Sequence, residues 1–179
     1  MYAKANLVIA VSKALCQRME KLFGVKPICI SNIVDTDIFN VRAKDAISCE
    51  NKPFSFITVA NLTPNKRVDL VIDAVAELIQ EGKNLSLTIA GDGEERSLIE
   101  EKIEKYGITS HVRMLGKIDR KKICDELSLA DCFVLPSKSE TFGLAYIEAI
   151  ASGLPVIATR CGGPEDFVSE ENGLLIERD

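Results

Sequence analysis

Residues 130–159 read ADCFVLPSKSETFGLAYIEAIASGLPVIAT, and the change of texture along this stretch decides the fold. Cys132 to Leu135 form a short apolar run that Pro136 stops, as a buried strand would be stopped. A polar loop from Ser137 to Thr141 leads to a helical segment over 143–152, entered at Gly143. LPVIAT (154–159) then reads as a second buried strand. Strand, helix and strand in this order make a βαβ unit, whose two strands run parallel because the connecting helix returns the chain to the same end of the sheet.

The alternation continues outward. FSFITVA (54–60) is a strand, and Val68, Val71, Ile72, Val75, Leu78 and Ile79 recur at three- and four-residue steps, predicting a helix that Gly82 ends. LSLTIAG (85–91), EERSLIEEKIEKYG (94–107), HVRMLG (111–116) and RKKICDELSLA (120–130) supply strand, helix, strand and helix, and GLLIE (173–177) adds a terminal strand. The expected class is α/β, a Rossmann-like, mostly parallel sheet with helices on both faces.

Towards the N-terminus the pattern is shorter. NLVIAVS (6–12) resembles a strand, SKALCQRMEKLFG (12–24) a helix capped by Ser12, and KPICISN (26–32) another strand. Periodicity then lapses over 32–53, as in a linker or hinge. We therefore expect two parts: residues 1–52, belonging with a separate half plus a crossing segment, and residues 53–179, a Rossmann-like domain truncated at its C-terminal end.

Composition narrows the function. The chain is 46% hydrophobic with a formal charge of −5, and its Lys and Arg are scattered, so a nucleic-acid partner is not expected. No apolar run approaches a membrane span, and the opening apolar stretch is too short for a signal peptide. Six cysteines, at 16, 29, 49, 124, 132 and 161, include no Cys-x-x-Cys pair, and His111 is the sole histidine, so no metal is expected. Cys29 and Cys132 fall in apolar runs and read as buried, reduced thiols of a cytoplasmic protein. His111, just before a strand, reads as a surface or strand-edge residue.

In an open parallel sheet, ligands bind at the carboxyl ends of the strands. Each polar or glycine-bearing loop here follows a strand, so all are expected on one rim. The helix entered at Gly143 offers unpaired N–H groups to an anion such as a phosphate. Glu140 and Glu148 cannot hold phosphate; they suit hydroxyl donors at two separated parts of one elongated ligand. Lys66, at the mouth of the first βα unit, supplies a cation. Together they describe a diphosphate with a hydroxylated ring at each end, a nucleotide sugar. The plainer readings are solvated carboxylates near a helix start and a surface lysine.

On these residues the chain resembles the retaining glycosyltransferases of family 4, with GT-B architecture. The strongest likeness is LADCFVLPSKSETFGLAYIEAIASGLPVIATRCGGPEDFVSEENGLLI; weaker likenesses are NKRVDLVIDAVAEL, LTIAGDGEE and VRMLGKI. ANLVIAVSKAL and ISNIVDTDIF resemble that family's crossing from its acceptor half to its donor half. The resemblance implies the C-terminal, donor-binding half, in which Lys66 and Glu140 are catalytic. Lys66 would neutralise the leaving diphosphate and Glu140 would contact the transferred sugar. Phe142, Gly143 and Leu144 would hold sugar and diphosphate through their backbone, and Glu148 would accept from the ribose. The backbone near Lys117 and Ile118 would face the base, and Gly91 and Gly93 would line the wall.

The resemblance also implies a hexosyltransferase that needs no cofactor and no metal, working on a glycan or lipid-linked acceptor held by the other half. Polysaccharide biosynthesis is that family's common setting. The implied location is cytoplasmic, with a peripheral position at the inner membrane face open to the full-length enzyme. Two departures stand out. Ala60-Asn61-Leu62 replaces the family's usual Gly-Arg-Leu, and Arg67 occupies its usual glycine position, where it would join the nucleotide-sugar site. The acceptor half is largely missing, so this segment alone is expected to be inactive. Two alternatives remain: a non-catalytic nucleotide-binding α/β module, favoured by Asn61, and a dinucleotide-dependent oxidoreductase, suggested by Gly91-Asp92-Gly93 but lacking a glycine at Arg96.

Overall fold

A computed structural model describes residues 5–41 and 52–178. Cys49 and the 42–51 part of the expected linker lie outside the described residues. The N-terminal unit is β1 (Ile9–Ala10), α1 (Lys13–Phe23) and β2 (Ile28–Cys29), the two strands pairing in parallel. Ser12 caps α1 by accepting from Leu15 N at 3.1 Å.

The main sheet contains β3 (Phe54–Val59), β4 (Leu85–Ala90), β5 (Val112–Gly116), β6 (Cys132–Leu135), β7 (Val156–Thr159) and β8 (Gly173–Ile176). Its spatial order is β5-β4-β3-β6-β7-β8, and every pairing is parallel. Counted from β3, this is the doubly wound order 3-2-1-4-5-6, whose direction of progression reverses between β3 and β6. The helices are α2 (Val68–Gln80), α3 (Arg96–Lys105), α4 (Arg120–Leu129) and α5 (Leu144–Ala151). Right-handed crossovers put α2 and α3 on one face and α4 and α5 on the other.

The inner strands β4, β6 and β7 are apolar and largely buried on both faces because helices cover them, whereas the edge strand β8 leaves Leu174 and Ile176 exposed. Ile57, Leu87, Ile89 and Phe133 are fully buried and meet Ile72 of α2, Leu127 of α4 and Tyr146 of α5 in one continuous core. A polar residue enters this core only with a partner: buried Thr58 donates from Oγ1 to Val134 O at 2.6 Å, tying β3 to β6 at the reversal.

The approach to the sheet is anchored as well. Phe39, in the turn before the undescribed stretch, is fully buried, with the Arg120 guanidinium 5.2 Å from its ring centre. Cys124 Sγ donates to Ile38 O at 2.9 Å. Lys13 N, at the start of α1, donates to Asp166 Oδ2 at 2.7 Å, so the N-terminal unit leans on the turn after β7.

The cysteines need one correction. Cys132 is buried, and burial pushes its thiol up to about 11. Cys29, however, is exposed, its strand β2 pairing among the described residues with β1 alone. His111 lies at a strand edge, its Nδ1 2.9 Å from Leu85 O.

Candidate functional site

The strand reversal places the β3–α2 and β6–α5 loops side by side above the carboxyl edge of the sheet. A cleft of about 900 Å³ opens there, within the range of small-molecule sites. The β3 side contributes Asn61 and Lys66, the β6 side Glu140 to Tyr146, and the ends of β4 and β5 contribute Gly91, Asp92, Gly93, Lys117 and Ile118.

The two loops meet through charge. Lys66 Nζ lies 2.6 Å from Glu140 Oε1, and both side chains are largely buried. Ser137 Oγ donates to the same oxygen at 2.8 Å. The loop backbones are stitched together too, Lys138 N donating to Asn65 O at 2.7 Å and Asn65 Nδ2 to Ser139 O at 2.9 Å. Lys66 and Glu140 are 74 positions apart in the chain, and the reversal of the sheet brings them into direct contact.

Gly143 is the N-cap of α5 with φ 98°, a conformation open to glycine. A Cβ there would lie 2.6 Å from the Tyr146 ring. Tyr146 is itself fixed, fully buried with its hydroxyl donating to Leu135 O at 2.8 Å. The bare backbone of Gly143 therefore faces the cleft, and with Leu144 and Ala145 it presents the positive end of α5.

Gly91 has a different reason. A Cβ on it would fall 1.7 Å from Ala60 O, so the glycine allows the β4 and β3 loops to press together. Around it, Leu62 N donates to Asp92 O at 2.9 Å and Glu95 N to Leu62 O at 3.0 Å. The Gly-Asp-Gly stretch is accounted for by this packing of strand ends.

Glu148 and Arg67 are absent from the cleft lining. Glu148 projects one turn along α5, largely buried, its Oε1 accepting from Arg120 at 3.1 Å. Burial raises its pKa above the ordinary glutamate value, and Arg120 opposes that rise. Arg67 turns to Asp69, 3.6 Å away, at the start of α2. It is the N-cap of that helix at φ 50°, ψ 38°, the left-handed region that a glycine would occupy without strain.

Among the contributors that the sequence leaves unmarked are three with hydrogen-bonding side chains. Asn32, from the segment leading away from β2, reaches the cleft; Ser137 supplies a donor to Glu140; Arg120 supplies one to Glu148. Ser137 carries a faint signal in its position just after the proline that ends a strand. Arg120 opens a helix on the same rim, next to its capping Asp119, which accepts from Lys122 N at 2.8 Å. Among the described residues, no three His, Cys, Asp or Glu side chains gather as a metal site would require, and no helix is long and apolar enough to cross a membrane.

The family described as glycosyl transferases group 1 matches residues 42–179. The chain is similar to the Bacillus anthracis N-acetyl-alpha-D-glucosaminyl L-malate synthase, 31% identical over 183 residues, covering 97% of this chain and 47% of that protein. It is likewise similar to the Schizosaccharomyces pombe phosphatidylinositol N-acetylglucosaminyltransferase gpi3 subunit, 31% identical over 158 residues, covering 88% and 35%. Among solved structures, S. aureus TarM in complex with Fondaparinux, alpha-GlcNAc-glycerol and UDP superposes with a TM-score of 0.86 at 27% identity, over 98% of this chain and 34% of that one. The chain thus spans less than half the length of these relatives.

Proposed function

From the premise that this chain belongs to the group 1 glycosyl transferases, we propose that it is the nucleotide-sugar-binding half of an enzyme that transfers a hexose to a glycan or lipid-linked acceptor. The observation that carries this reading is the meeting of Lys66, Glu140 and the N-terminus of α5 in one cleft at the strand reversal. A diphosphate set against Gly143 meets the α5 amides on one side and Lys66 on the other. As the sugar departs, charge grows on the diphosphate where these groups already point, so they lower the barrier without reorganising. Glu140 takes hydroxyls of the sugar. Glu148, one turn further along, takes the ribose, with the Lys117 and Ile118 backbone beside the base and Gly91 and Gly93 as the wall.

With lysine and helix amides to meet the diphosphate charge, the proposed reaction needs no metal and no cofactor. The transfer is proposed to retain anomeric configuration, in the cytoplasm, in polysaccharide or glycolipid assembly. Residues 53–179 form the donor domain and 1–52 go with the acceptor half. The exposed Leu7, Ile9, Ile28 and Ile30 of the N-terminal unit support that division. The UDP held by the similar S. aureus protein supports a nucleotide donor. One observation favours a second reading, a binding module without turnover: Asn61 lines the cleft where the family resemblance implies an arginine.

Thermal melting tests the first step. UDP, GDP or ADP should raise the melting temperature of this chain, and Glu148→Ala should shrink the rise. A flat response to all three overturns donor binding. A rise without transfer by the full-length protein selects the binding module.

A further inference from the structure

In the cleft, Lys66 Nζ and Ser137 Oγ converge on one oxygen of Glu140, Oε1, at 2.6 and 2.8 Å. No described residue hydrogen-bonds Oε2, which is left for a ligand. Lys66 therefore holds two posts: it partners Glu140 at rest, and in the donor complex it must turn to a diphosphate. That exchange removes the closest donor from a carboxylate whose side chain is only 10% exposed. A buried carboxylate deprived of its cation swings away or loses charge unless another donor holds it.

Ser137 is built to stay. It is fully buried just after Pro136, and its carbonyl accepts from Thr159 Oγ1 at 2.5 Å. The Glu140 backbone is pinned as firmly, its N–H donating to Cys161 O and its carbonyl accepting from Gly163 N, each at 3.0 Å. With backbone and hydroxyl both fixed, the Glu140 carboxylate keeps one orientation after Lys66 has moved.

We propose that Ser137 is a positioning residue for Glu140, keeping Oε2 aimed at the sugar when the diphosphate draws Lys66 away. This rests on the reading that Glu140 meets the sugar and Lys66 the diphosphate. It makes the effect of Ser137 specific to one end of the ligand.

Calorimetric titration of this chain tests it with three probe pairs: UDP and UDP-glucose, GDP and GDP-mannose, ADP and ADP-glucose. For whichever pair the parent chain binds, Ser137→Ala should weaken the sugar nucleotide about tenfold, the loss expected for one hydrogen bond to a charged group, and leave the bare diphosphate within about twofold. Thr58→Val, which loses the buried bond to Val134 O inside the sheet and lies outside the cleft lining, should lower the melting temperature and keep the ratio of the two affinities. Equal losses for both ligands in Ser137→Ala, or a changed ratio in Thr58→Val, overturn the proposal. Should Ser137→Ala fold poorly, Ser137→Cys, with its weak S–H donor, should show a smaller split, and no split overturns the proposal. Failure of every probe to bind the parent chain removes the donor-binding reading and this one with it. Normal binding with no split removes this one alone.

Discussion

The N-terminal β1–α1–β2 unit and the β6–α5–β7 unit are both parallel βαβ arrangements, yet their apolar residues meet opposite fates. In the second unit Phe133, Leu135, Val156 and Ala158 are buried, because β6 lies beside β3 and β7 beside β8. In the first, Ile9, Ile28 and Ile30 are each more than half exposed, because among the described residues β1 and β2 form a sheet of two with no further strand beside them. A strand's sequence declares that it can be buried; its neighbours decide whether it is. The contrast makes the centre of the larger sheet the platform for the cleft and leaves the smaller unit, like the edge strand β8 with its exposed Leu174 and Ile176, a surface in want of cover.

The largest expected effect breaks this comparison if it is wrong. Ile57→Ala, in the middle of β3, should cost about 2–5 kcal/mol, the range for truncating a fully buried aliphatic side chain. Ile28→Ala in β2 should stay within about 0.5 kcal/mol, as surface changes do. Urea unfolding of the two variants makes the check, and equal losses would mean that the N-terminal unit belongs to the core.

Next in size is a change within the platform. Lys66→Ala should weaken the binding of whichever of UDP, GDP and ADP binds by about tenfold or more, the scale of a lost charge-assisted hydrogen bond. It should leave the matching nucleoside unaffected. Calorimetry reads both, and unchanged diphosphate affinity would remove Lys66 from the clamp.

A smaller effect follows from Glu148. Burial holds its pKa above the ordinary value, so it takes up a proton at a higher pH than a free glutamate would. Protonation converts an acceptor into a donor at one oxygen, so nucleotide affinity should fall as pH drops through that raised pKa. Glu148→Gln should flatten this acidic limb while lowering affinity at neutral pH. Affinity–pH curves that fall in parallel for parent and variant would assign the limb to the ligand's own phosphates.

How much of this was legible beforehand depends on distance along the chain. Periodicity in β3 to β8 and α2 to α5 is local, and strands apolar on both faces announce a covered sheet. The shared rim follows from strand polarity alone. The Lys66–Glu140 contact does not, since a separation of 74 positions is closed only by the reversal of strand order. Nor does the exposure of Cys29, which depends on a neighbour that its sequence cannot name. Ser137 and Arg120 were illegible for a third reason. A serine after a strand or an arginine at a helix start is ordinary locally, and only its partner makes it part of the site.

The smallest expected effect concerns Arg67, where local and distant demands pull apart. Its αL conformation costs a residue with a side chain about 1 kcal/mol, and it is the one such non-glycine position among the described residues. Arg67→Gly removes that strain but adds freedom to the unfolded chain worth about 0.4–1 kcal/mol. It also gives up the 3.6 Å pair with Asp69, worth no more than about 1 kcal/mol near the surface. These offsets leave a stability change within about 1 kcal/mol of zero, so urea unfolding should hardly distinguish the variant. Binding decides what the residue is for. With its side chain committed to Asp69, Arg67→Gly should change nucleoside diphosphate affinity by less than about twofold, under 0.5 kcal/mol by the usual conversion. A tenfold loss would instead show that Arg67 leaves Asp69 for the diphosphate and supplies the second cation that Asn61 lacks.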